Sequence, residues 1–243
     1  MKLENKHGEL TTTQLVTIII LIVSFVIILF LLFRLDLGGT TNQEICRNSV
    51  VLKGQSQLTS GPLDCKINYL CISGGSDCEA TTEEAKVNSG NKTEIMNAIA
   101  SEMLDCWWQF GEGKVNYGGG VTSTSVHYAI CSIISFDEKV REKVPEISYS
   151  EFYNFLSTEK KGGSGTETYL QYLYEINNIN SFVPQKQVKV IISQDKILTN
   201  EKYSIITGID NNLGDDEILM VYIIPTAETS SRLETDREFV TKA

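Results

Sequence analysis

The chain has 243 residues, with 31 acidic against 21 basic side chains and a formal charge of −10. No basic cluster denser than Lys160-Lys161 occurs, which argues against nucleic acid or an anionic lipid surface as the partner of its charged part. A hydrophobic content of 42% over this length suffices for one sizeable core.

The first elements are a short N-terminal tail, 1–14, and an uncharged run from Leu15 to Phe33 in which only Thr17 and Ser24 are polar. Nineteen helical residues at about 1.5 Å each nearly match a hydrocarbon core of roughly 30 Å. The run is apolar all round, unlike an amphipathic core helix. It ends in Phe33-Arg34-Leu35-Asp36-Leu37, without the small-residue site of a cleaved secretory signal. Residues 15–33 are therefore read as a retained transmembrane helix, with membrane lipid as the partner of Leu15–Phe33. A protein partner or self-association is the further partner class, and nucleic acid is not expected. Lys6-His7-Gly8, followed by Glu9-Leu10 and the apolar run, resembles the leader of type IV pilin-like proteins. In that family cleavage follows the glycine and the helix is retained as a filament core. Thr13 stands where the bacterial pattern has a glutamate five positions after the glycine.

Lys2 and Lys6 on one side of the run and Arg34 and Arg47 on the other nearly balance the basic-residue rule for orientation. Cysteine placement decides it. Cys46, Cys65, Cys71, Cys78, Cys106 and Cys131 all follow the apolar run. An even count with no C-x-x-C pair, and His127 as the sole histidine of this portion, reads as a disulfide framework rather than a zinc site. Fifteen pairings are open. The expected localisation is a single-pass membrane protein with a cytoplasmic N-terminus and an extracytoplasmic C-terminal domain.

Residues 34–60 read as a stalk and 61–225 as one extracytoplasmic α+β domain with an antiparallel sheet. Within it, 67–72 suggests a strand and 73–89 a polar loop. Asn91-Lys92-Thr93 is a glycosylation sequon. A long amphipathic helix is expected over about 93–110, capped by Thr93 and stopped by Gly111 and Gly113. Its apolar stripe is Ile95, Ile99, Met103, Cys106 and Phe110, broadened by Met96, Leu104 and Trp107. A strand is expected over 126–136. Shorter helices follow, one capped by Ser148 with Glu151 and one opened by Thr166 or Thr168. Strands are expected over 188–192, 203–209 and 217–224, the last two as an antiparallel hairpin. Residues 226–243 read as a polar C-terminal tail, with Ser231 and Glu234 able to cap a short helix.

Candidate chemistry is sparse. Cys106-Trp107 and His127 on a strand resemble the papain-like peptidases that remodel cell walls, which implies a membrane-tethered hydrolase. Cys106 falls in the last turn of its helix, however, where the dipole opposes thiolate formation, and a disulfide would remove the nucleophile. Gly162-Gly163-Ser164-Gly165-Thr166 lacks the Gly-Lys-Ser/Thr ending of a phosphate-binding loop and reads as a connector. Asp210, Asn212, Asp215 and Asp216 offer oxygen ligands for calcium but fit a hairpin turn better. No catalytic, cofactor-binding or metal residue is assigned, no cofactor is expected, and a binding or cell-envelope structural module is the leading function.

Overall fold

The computed structural model describes residues 12–34, 41–55, 63–78, 81, 83–118, 126–163, 165–182, 195–210, 217–233 and 237–241. The chain divides into two compact units, Met1–Thr41 and Asn42–Ala243. The first holds helix α1, Thr12–Arg34, a stretch without glycine or proline to break it. Its large apolar side chains between Leu15 and Ile28 are 46–63% exposed, so no face of that stretch is covered among the described residues. Among the described residues no helix is long and apolar enough to cross a membrane. The side chains of α1 are described only over 14–28, about 22 Å of helix.

The second unit is α+β. It begins with α2, Asn42–Gln55, which lies within the span expected as a stalk. Cys46 and Val50 stand one turn apart on its inner face, both buried, and Cys46 is bridged to Cys65. The helix packs on α3, Lys92–Gln109. Only Cys46 and Val50 of this helix are fully buried, too few for a visible periodicity.

The main sheet is mixed rather than antiparallel. Its order is β2 (Glu83–Lys86), β1 (Asn68–Ser73), β3 (Val126–Phe136), then β6 (Tyr203–Asp210) and β7 (Glu217–Pro225). A separate two-stranded antiparallel pair joins β4 (Glu146–Ser148) to β5 (Lys196–Leu198). Strands β2, β1 and β3 run parallel, and β3, β6 and β7 are antiparallel. The parallel pairing of β1 with β3 follows from the connection between them, which carries α3 and is long enough for a crossover. The expected polar tail also differs: its end forms β8 (Arg237–Phe239), parallel to residues Val126 to Tyr128 of β3. Strands β1 and β8 thus share one edge of β3 at its two ends. The expected strand over 188–192 and the turn after Asp210 lie outside the described residues.

Helix α3 packs across β3, β6 and β7 through Ile95, Ile99, Met103, Cys106 and Phe110, each 0–2% exposed. Its cap is Asn91 rather than Thr93. The Asn91 Oδ1 accepts from the backbone of Thr93 and Glu94, and its Nδ2 donates to Glu94. The sequon asparagine is therefore engaged on both side-chain atoms. At the other end Gly111 takes φ +83°, a left-handed turn that ends the helix. All eight residues of β6 are buried. Gly208 faces Tyr128, and a side chain there would meet the His127 carbonyl at 2.5 Å.

Further helices of the unit are α4 (Glu138–Lys143), α5 (Tyr149–Thr158) and α6 (Tyr169–Tyr174). Ser148 caps α5, and Thr168 with Gln171 forms a full capping box on α6. A short α7, Thr229–Arg232, follows β7. Tyr149 and Tyr174 donate their hydroxyls to the carbonyls of Ile223 and Val221, at 2.8 and 2.5 Å. Those two residues are spaced by two along β7, so their carbonyls point to the same outer edge. The aromatic layer thus closes an edge that would otherwise be open for pairing.

Candidate functional site

All six cysteines are paired: Cys46–Cys65, Cys71–Cys78 and Cys106–Cys131. Three disulfides fit an oxidising, extracytoplasmic compartment. Cys106 is 0% exposed and covalently tied to β3, so it cannot act as the thiolate of a papain-like pair with His127. Asp210 ends β6, while Asn212, Asp215 and Asp216 lie outside the described residues, as does Ser164. Among the described residues no group of three or more His, Cys, Asp or Glu could hold a metal ion.

Two polar clusters prove to be structural. Asp137, 2% exposed, caps α4 at Val140 and accepts from Gly74, Ser76 and Ser73, at 2.7–3.2 Å. Burial works to raise its carboxyl, but the hydrogen bonds from Val140, Ser76, Gly74 and Ser73 hold it below the usual carboxylate range. The second cluster gathers on Glu112. It accepts from the Tyr172 hydroxyl at 2.6 Å and pairs with Arg47 at 3.5 Å, while Arg47 stacks over Trp108. This clamp ties α2 and α6 to the end of α3.

A groove of about 510 Å³ lies where α3 passes over the β1–β2 side of the sheet. Its floor is apolar, from Leu70, Ala85, Val87, Ala98 and Phe155. Its rim carries Glu94, Glu102 and Glu159 against one Lys86. The helical spacing of 94, 97, 98, 101 and 102 puts the more polar face of α3 along this groove while the apolar stripe faces the core. A Lys92–Glu151 ion pair at 3.0 Å joins the start of α3 to α5, which supplies Phe155 and is followed by Glu159.

Glu102 is the electrostatic centre of the groove. Burial raises its carboxyl to about 7, with Asp105 and Glu83 adding like-charge repulsion, while Ser132 and Asn68 act the other way. Asp105, also raised by burial, accepts from Gln43 at 3.2 Å. Glu83 accepts from Asn68 at 3.0 Å. Chemically the groove is a trough with an acidic rim and an apolar base.

None of these groove residues was singled out as a site from sequence. The only signal was the polar face of the 93–110 helix, which ordinarily marks solvent exposure. No protein-family model matches the chain, and neither a curated protein nor a solved structure matches it.

Proposed function

We propose that this chain is a single-pass, membrane-anchored binding module. Residues 15–33 cross the bilayer, the short N-terminal tail is cytoplasmic, and the disulfide-supported α+β unit is presented outside. The observation that carries the reading is α1, 23 helical residues that contain the whole uncharged run. At about 1.5 Å per residue that helix is about 34 Å long, enough for a hydrocarbon core of roughly 30 Å. Its uncovered apolar side chains would expose a large surface to water, and lipid is the solvent that removes the penalty. The disulfides after the run support the outward orientation. The acidic, apolar-floored groove supports binding as the role of the outer unit.

The test is extraction of membranes from the native cell. Alkaline carbonate should leave the protein in the pellet and non-ionic detergent should release it. Release by carbonate alone would refute the anchor.

A pilin-like filament subunit is the second reading, favoured by a helix apolar on every side and by the resemblance at Lys6-His7-Gly8. In that reading α1 packs against copies of itself. Mass spectrometry of the native N-terminus separates the two, because cleavage after Gly8 belongs only to the filament subunit.

A further inference from the structure

We propose that the outer edge of β2 beside the groove, which pairs with no strand among the described residues, takes an extended, basic segment of a partner protein as an added strand. This deepens the reading of the outer unit as a binding module and rests on it.

Backbone geometry comes first. Strand β2 ends the sheet, and among the described residues its only strand partner is β1. Ser73 is in register with Lys86, and the Ser73 carbonyl accepts from the Val87 N–H at 2.9 Å. In a parallel ladder this directs the backbone groups of Glu83, Ala85 and Val87 towards β1. Those of Glu84 and Lys86 therefore point outward, and both residues are exposed. An unpaired row of this kind is a template for another strand.

Charge and shape then select the occupant. A strand laid along β2 projects every second side chain to the α3 side, over the groove. There it meets Leu70, Ala85, Val87 and Phe155 below and Glu94, Glu102 and Glu159 at the rim. Lysine or arginine at alternate positions suits both surfaces, since the aliphatic stem covers the floor while the charged head reaches a carboxylate. An acidic segment would be repelled by the same rim.

The test uses the full chain in non-ionic detergent and a fluorescent nine-residue peptide of alternating lysine and valine. The proposal expects saturable binding that weakens at least tenfold when alternate peptide nitrogens are methylated, because methylation removes strand donors and keeps the charge. Lys86→Pro should weaken binding at least tenfold while Lys86→Gln does not, since proline deletes an outward N–H and glutamine only a competing cation. A glutamate–valine peptide should not bind. Equal binding of the methylated peptide would reduce the contact to diffuse charge attraction and overturn the proposal. Failure of the lysine–valine peptide to bind at 1 mM would also overturn it. Neither result touches the membrane anchor, which carbonate extraction judges separately.

Discussion

Cys106, in the last turn of α3, is joined covalently to Cys131, where β3 bulges between Ile130 and Ser132. The bond pins the helix to the central strand of the sheet. It also converts the most reactive-looking residue of the sequence into a structural one. With a separation of 25 residues, the chain-entropy model assigns the cross-link about 3.5 kcal/mol. The double variant Cys106→Ala/Cys131→Ala should lose stability of that order in denaturant titration, with Cys46–Cys65 and Cys71–Cys78 intact. An unchanged midpoint would mean that packing alone holds α3 in place.

Asp137 anchors the 74–76 loop and α4 together. Asp137→Ala leaves several buried donors without an acceptor and should cost about 3 kcal/mol in chemical denaturation. Its carboxyl is lowered in the fold. Its stabilisation is therefore complete above the unfolded value of about 3.9 and is lost as pH falls through the lower folded value. The wild type should show an acid-limb loss that Asp137→Asn reduces.

Glu102 has the opposite sign. Its folded value of about 7 lies above an unfolded value of about 4.3, so the native state holds the proton more tightly. The resulting stabilisation is complete below pH ~4.3 and disappears as pH rises through about 7. Asp105 and Glu83 face it with like charge, and Asn68 and Ser132 face it as neutral groups. Stability measured by denaturant should fall between pH 5 and pH 8, and Glu102→Gln should flatten that slope. A slope identical in the variant would place the proton on another group.

The closed edge at β7 depends on two hydroxyls. Tyr174→Phe and Tyr149→Phe should each lose about 1–2 kcal/mol, because the carbonyls of Val221 and Ile223 stay buried without a donor. The paired variant should associate more readily at high concentration, read by light scattering, as the edge loses its cover.

What could be read from sequence depended on how local the signal was. Strand β3 was expected over 126–136 and occupies those residues, since an apolar run bounded by turn residues needs no distant partner to define it. The apolar stripe of α3 was equally plain. Strand β2 is not legible in sequence because Glu83-Glu84-Ala85-Lys86 has the composition of a loop, and only pairing with β1 makes it a strand. Helix α4 is not legible because one residue, Val140, carries its burial. The short strands β4, β5 and β8 exist only through partners far along the chain. The groove was illegible for the same reason: Ala85, Glu102 and Phe155 meet only after the sheet, α3 and α5 are assembled. Disulfide pairing likewise required the three-dimensional register.

Protease treatment of intact native cells tests at once the proposed bilayer crossing of residues 15–33 and the proposed outward placement of the disulfide-bonded unit. Added protease is expected to remove the outer unit and leave a membrane-bound fragment containing α1. Full protection until the cells are broken open would contradict it.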